Sequence, residues 1–266
     1  MVNIVNFAST VILSSKVKKY IYLTLDDGPN EGTQDSLALL LSRSTPATFF
    51  VNRLNFLPSF VGQSAAKHNL FQLALAVSMG YMVGDHSVDH MLHNTQGQGS
   101  RNAYREAEQD ILWFGGSNME PTVQALELVG VVNDDLVRVN SSMSSYVRLP
   151  YTNSWRLGNI RWDCLACTWP DTSGRSAVEL SDKLMVMGKK VVGWDMEWYK
   201  DTMAREMFLR LEKEMVQPTV GYPGKVVILS HDRVLRGEAG VQLGLFIDLA
   251  LGSGYQFRAL DTYLQD

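Results

Sequence analysis

Apolar residues along the chain gather in short continuous runs, separated by longer stretches in which they recur at helical spacing. The first run, Tyr20-Ile21-Tyr22-Leu23-Thr24-Leu25, is β-branched and aromatic and predicts a buried strand. It breaks into Asp26-Asp27-Gly28-Pro29, through which a strand is not expected to continue. Gln34 to Leu41 is dense in Leu and Ala and predicts a helix that Thr33 or Asp35 can cap. Ala47 to Val51 predicts a second buried strand, and Asn69 to Met79 a helix closed by Gly80. Tyr81 to Asp85 is a short strand leading to His86-Ser87-Val88-Asp89-His90, and Arg101 to Phe114 is a charged amphipathic helix ended by Gly115-Gly116. Pro121 to Val139 is helical with a break near Gly130, and Tyr146 to Leu149 is a strand stopped by Pro150.

The stretch from Trp155 to Gly174 mixes tryptophans with turn residues and has no clear period. After it come a helix over Ser176 to Met187, a strand over Val191 to Trp194 and a helix over Thr202 to Val216. A strand over Lys225 to Ser230 runs into His231-Asp232, then a helix over Val241 to Leu251 and a last strand over Tyr255 to Arg258. Alternation of this kind predicts an α/β fold with a parallel sheet. Roughly seven parallel strands, rather than eight, predict a distorted or incomplete (β/α) barrel. No linker divides the chain, so the expected organisation is an N-terminal extension over 1–19 and one catalytic domain over 20–266.

Composition narrows the functional classes. The chain is 45% hydrophobic and 20% charged, with a formal net charge of −4. No basic run suits nucleic acid or an anionic membrane surface, and no segment is long and apolar enough to span a bilayer. The two cysteines, Cys164 and Cys167, form a single Cys-Leu-Ala-Cys and lack the second pair of a structural zinc site. They read as a tight local disulfide or two reduced thiols rather than a redox centre. The mild apolar run Val2 to Leu13 has its lysines after it, the wrong order for a signal peptide.

The polar residues carry the functional signal. Asp26-Asp27, His86 with His90, Arg148, Asp195 and His231 each fall at the C-terminal end of a predicted strand, and in a barrel those ends converge on one face. Asp26 and Asp27 adjoin in an extended segment and are expected to point to opposite sides, one toward a metal and one toward a proton. Asp-Gly-Pro is also ordinary turn chemistry. His86 and His90 stand four apart, a spacing that one helical turn brings to one side. Two histidines and a carboxylate leave a coordination position open, as catalytic zinc sites do; the same spacing also arises by chance between surface histidines.

Leu23-Thr24-Leu25-Asp26-Asp27-Gly28-Pro29, His86-Ser87-Val88-Asp89-His90, Arg148-Leu149-Pro150-Tyr151 and Leu229-Ser230-His231 together resemble the polysaccharide deacetylases, carbohydrate esterase family four. The strand over Ala47 to Val51 and the ending Gly254-Tyr255-Gln256-Phe257 share the likeness, which runs from about Tyr20 to the C-terminus. The resemblance implies a hydrolase with one divalent metal, zinc by preference, with cobalt or nickel able to substitute. It implies Asp27, His86 and His90 as ligands, Asp26 as general base and His231 as general acid. Arg148 would keep Asp26 ionised, the main-chain N–H of Tyr151 would hold the oxyanion, and Leu229 would line the acetyl pocket.

The fourth motif departs from the family pattern: Trp194-Asp195-Met196-Glu197-Trp198 offers Asp195 first, or Glu197, to orient His231, with Trp198 as a pocket wall. Trp155, Trp162, Trp169 and Trp198 are candidates for sugar stacking and equally for core packing. The implied partner is an N-acetylated glycan such as chitin, a chitin oligosaccharide or peptidoglycan. The implied location is secreted, periplasmic or cell-surface. An acetylxylan esterase, a small-molecule amidase and a silent glycan-binding protein are the competing expectations.

Overall fold

The computed structural model describes residues 18–87, 90, 120–164 and 175–265. The expected helix over 101–114, and Asp89, Cys167 and Trp169, lie outside these residues. Strand β1 (Tyr20–Gly28) forms the centre of a mixed sheet. It pairs in parallel with β2 (Thr48–Val51) on one side and β9 (Lys225–His231) on the other. Beyond β2 follow β3 (Met82–Asp85), β4 (Tyr146–Val147) and β7 (Lys190–Val191), all parallel; beyond β9 lies β8 (Met196–Glu197). Among the described residues the sheet does not close on itself, so the barrel is incomplete, as its sequence predicts.

One departure is the tryptophan-rich stretch. It begins with a hairpin of β5 (Ser154–Leu157) and β6 (Ile160–Asp163), and β5 joins β7 antiparallel. The antiparallel pair adds to the expected parallel set, and its tryptophans, alternating with Arg156 and Arg161, masked its period of two.

Helices α1 (Thr33–Ser42), α2 (Pro58–Val61), α3 (Gln63–Ser78), α4 (Glu120–Leu128), α5 (Asn133–Ser145), α6 (Arg175–Val186), α7 (Ala204–Val216) and α8 (Glu238–Gly252) connect the strands. Alternation along β1 separates two apolar layers. Ile21, Leu23 and Leu25 face the helix-side core, while Tyr20 and Tyr22 face the barrel interior with Phe50, Trp155 and Tyr263. Further up that interior column stand Thr24 and Asp26, so the interior changes from apolar to polar within one strand. At the bottom, β10 (Gln256–Phe257) pairs with Tyr20 and Ile21, and Leu260 and Tyr263 plug the interior.

Candidate active site and metal centre

In-register parallel strands bring the polar residues to one layer. Asp26 is the register partner of His231 across β1 and β9. Val51, Asp85 and Val147 are successive partners across β2, β3 and β4. His86 and Arg148 are each the next residue, and their amides donate to Val51 and Asp85 carbonyls at 3.1 and 2.9 Å.

The strand does not stop at Leu25. It continues to Gly28 through a register shift between Asp26 and Gly28, with Asp27 at φ +68°. Such a bulge re-aims a side chain, so the two carboxylates do not point to opposite sides as expected. His86 Nε2 lies 3.7 Å from Asp26 Oδ2 and 3.4 Å from Asp27 Oδ1. Their surroundings still differ. Asp26 Oδ1 accepts from Arg148 Nη1 at 3.0 Å, whereas Asp27 Oδ1 faces the two imidazoles.

Arg148 is wholly buried, and four of the five N–H donors of its planar fork are used. It donates to Thr24 Oγ1 at 2.6 Å, to the Val192 carbonyl at 3.1 Å and to the Gly193 carbonyl at 2.7 Å, besides Asp26. Its guanidinium also stacks over the Phe50 ring, 4.5 Å from the centroid. The cation therefore has one fixed position, and it fixes the Asp26 carboxylate in turn.

His86 and His90 do not share a helical turn either. Ser87 and His90 take φ of +72° and +54°, outside right-handed helix, and Ser87 Oγ accepts the His90 amide at 3.0 Å. This loop brings the rings to 4.9 Å between centroids. His86 Nδ1 meets the Arg148 carbonyl at 2.8 Å. A carbonyl only accepts, so Nδ1 carries the proton and Nε2 is turned toward the carboxylates.

These residues fit a divalent cation. The ligand atoms of Asp27, His86 and His90 lie within 4.8 Å of one another. Asp27 Oδ1 is buried without a hydrogen-bond partner, 3.2 Å from His90 Nε2. Electrostatics agree. Burial alone lowers the His86 pKa, yet the Asp26 and Asp27 carboxylates raise it. Asp27 is held below the ordinary carboxylate range despite its burial, by His86, His90 and His231. The cluster favours positive charge between its groups, supplied by protons or by a metal.

A cleft of about 670 Å³ opens over this cluster. His231 and Tyr151 line it, with Leu149 and Leu229 contributing apolar surface. Tyr151, at φ +57°, sets its ring edge-on to His90 at 4.3 Å. His231 Nε2 lies 3.9 Å from Asp27 Oδ2.

Two expected residues are placed elsewhere. Trp198 is wholly buried against Phe246 on the helix side of the sheet and forms no pocket wall. Alternation along β8 is the reason: Met196 and Trp198 face the helix-side core, and Glu197 between them lines the cleft. Asp195 stands two residues lower in the barrel. Its carboxylate accepts main-chain N–H groups of Val227 at 2.8 Å and Gly221 at 3.2 Å, so it braces a loop rather than reaching His231. Burial pushes Asp195 up to about 6 against those two donors. Of the two carboxylates in the fourth motif, Glu197 is the one in the cleft. Trp155 is core, as the packing alternative has it.

Other cleft residues carried little signal in sequence. Trp194 lines the cleft, and Asn153 clamps its backbone by accepting from the Trp194 amide at 3.0 Å and donating to its carbonyl at 2.8 Å. Arg233, two residues beyond His231, donates to Asp27 Oδ2. Phe60 on α2 is an exposed aromatic at the rim. Cys164 is disulfide-bonded, in line with the tight local pairing.

Comparison with known proteins bears on the fold and the family. A curated chitin disaccharide deacetylase from Vibrio alginolyticus is 26% identical over 308 aligned positions, covering 92% of this chain and 71% of that protein. The catalytic domain of a peptidoglycan N-acetylglucosamine deacetylase from Eubacterium rectale superimposes with a TM-score of 0.56 at 19% identity, covering 91% of this chain and 88% of that one. A pseudoenzyme of carbohydrate esterase family four from Bacillus anthracis gives 0.51 at 16% identity, covering 93% of this chain and 66% of its own. Deacetylases and a pseudoenzyme thus share the fold. The sequence profile described as polysaccharide deacetylase matches residues 14–151, more than half of the chain, including Asp26, Asp27, His86, His90 and Arg148. By that match the protein belongs to the polysaccharide deacetylase family.

Proposed function

We propose that the protein is a zinc-dependent N-deacetylase that removes acetyl groups from N-acetylglucosamine units of a short chitin-type glycan. One observation carries the reading: a buried, arginine-paired carboxylate, a two-histidine, one-carboxylate cluster and a further histidine line a single cleft. Asp27, His86 and His90 would hold the cation, and imidazole nitrogens with one carboxylate oxygen suit zinc. Bound there, it supplies Lewis acidity, lowering the pKa of water and polarising the acetyl carbonyl.

The chain's own groups do the rest. Arg148 holds Asp26 in one orientation through a contact of 3.0 Å, placing it to take a proton from the attacking water. Water oxygen bonds to the acetyl carbon, the carbon–nitrogen bond breaks, and His231 delivers a proton to the departing amine. Acetate and a free amino sugar leave. Leu149 and Leu229 offer an apolar surface for the acetyl methyl. The Vibrio alginolyticus relative supports a disaccharide as the first substrate to try. A compartment outside the reducing cytosol is supported by the Cys164 disulfide.

The test is acetate release from a chitin disaccharide by chelator-stripped protein, reloaded with zinc, beside Asp26→Asn. Release that zinc restores and the substitution abolishes is the expected result. Zinc binding without release from any N-acetylated oligosaccharide or acetylated xylan would overturn the activity and leave a glycan-binding protein on the same fold.

A further inference from the structure

Asp27 can face the imidazoles only because its backbone adopts a left-handed conformation that residues with side chains rarely take. What holds it there is a chain of hydrogen bonds none of which touches a ligand atom. The Asp27 carbonyl accepts two side-chain amides, Asn55 Nδ2 at 2.6 Å and Asn30 Nδ2 at 3.2 Å. Asn55 Nδ2 also reaches the Gly28 carbonyl at 3.1 Å, and the Asn55 carbonyl is itself tied to Asn69 Nδ2 of α3 at 2.6 Å.

Asn30 is fixed at two further points. Its Oδ1 accepts the Gly32 amide at 2.9 Å, and its own amide donates to Thr33 Oγ1 at 2.8 Å. With that acceptor used, the Thr33 hydroxyl donates to Asp232 Oδ2. Asp232 is wholly buried beneath the loop. Gly28 and Gly32 rest directly on it, and a Cβ at either glycine would overlap Asp232 atoms. The bulge is thus tied from above by Asn55 and from below, through Asn30 and Thr33, to the residue that follows His231.

We propose that Asn30, Asn55, Thr33 and Asp232 are positioning residues that lock Asp27 in its left-handed conformation and thereby set the affinity of the metal site. The proposal rests on reading Asp27, His86 and His90 as that site. Without the relay, Asp27 relaxes toward ordinary backbone angles, its carboxylate turns from the imidazoles, and the cation must pull it back on binding. Outer partners of metal ligands elsewhere are worth roughly 10- to 100-fold in affinity, and the same range is expected here.

The experiment is a zinc titration of the full chain against a chromophoric chelator. Variants are Thr33→Val, which keeps the shape and deletes the hydroxyl, Thr33→Ser, which keeps the hydroxyl, and Asn30→Ala, at a partly exposed loop position where loss of folding is not a concern. Asp27→Asn serves as the ligand control, and circular dichroism confirms that each variant is folded. Thr33→Val and Asn30→Ala should weaken zinc binding by about 10- to 100-fold, while Thr33→Ser restores it. If Asp27→Asn abolishes binding but Thr33→Val and Asn30→Ala bind as the parent does, the relay is overturned and the metal reading stands. Equal weakening by Thr33→Ser and Thr33→Val overturns it too, since the hydroxyl would then be irrelevant. If the parent binds no zinc, or Asp27→Asn changes nothing, both fall.

Discussion

Asp26 and Arg148 form the site's most constrained pair, both almost fully removed from solvent. A buried carboxylate that loses its cation is left uncompensated. Arg148→Met should therefore lower unfolding free energy by about 3–5 kcal/mol in urea titrations, besides abolishing activity. Asp195 predicts a different pH signature. Its pKa rises from 3.8 unfolded to about 6 folded, so the stability it contributes is complete below 3.8 and is lost as pH rises through about 6. In Asp195→Asn that downward slope across pH 4 to 6 should disappear from the stability profile; an unchanged slope would refute the assignment. The chemistry of these residues was legible in sequence because acids and histidines at strand ends have few structural reasons to be there. Which acid of the fourth motif reaches the cleft was not legible, because Asp195 and Glu197 share one face of the strand and differ only in height along it.

At the scale of elements, most strands and helices fall where apolar runs, glycines and prolines place them, but α3 starts at Gln63 rather than Asn69, α5 runs on to Ser145, and α2 had no counterpart in the pattern. Gly80, Gly130 and Gly188 each take positive φ where a helix ends. What the pattern concealed was local and backbone-driven. Asp-Asp-Gly-Pro reads as a stop, yet Gly28 pairs with Val51 and the strand runs onward through a bulge. His86 and His90 are brought together by left-handed loop residues that periodicity does not encode. The alternation of Met196, Glu197 and Trp198 was readable in principle, but the two-residue strand holding it was too short to be assigned. Trp198→Ala should cost about 3–5 kcal/mol of stability as a core truncation and leave the Michaelis constant unchanged. A raised Michaelis constant would return Trp198 to the cleft. Gly84 packs against Phe50, which floors Arg148; a Cβ there would sit 2.6 Å from the ring. Gly84→Ala should destabilise the protein by about 1–3 kcal/mol and loosen Arg148 with it.

For the molecule as a whole, the metal site and its protonation are one equilibrium. The carboxylates raise the His86 pKa, and a cation can be ligated only after that proton leaves. Zinc affinity should therefore fall as pH drops and His86 takes up its proton, with protons released on binding. Calorimetry in two buffers of different ionisation enthalpy measures that release directly, and identical heats in both would contradict it.

Tyr20 and Gln256 are register partners at the foot of β1, and Asp26 stands at its head. Six residues of strand rise about 20 Å between them. Both ends of the described barrel therefore leave from the side opposite the cleft. Anchored through either end to a bead, a sensor surface or a fused partner, the protein would present its open face outward. Joining residues 18 and 265 by a linker, which keeps the Leu260 and Tyr263 plug, and reopening the chain at the exposed Gly188 turn, should give a circular permutant with the reactive layer untouched.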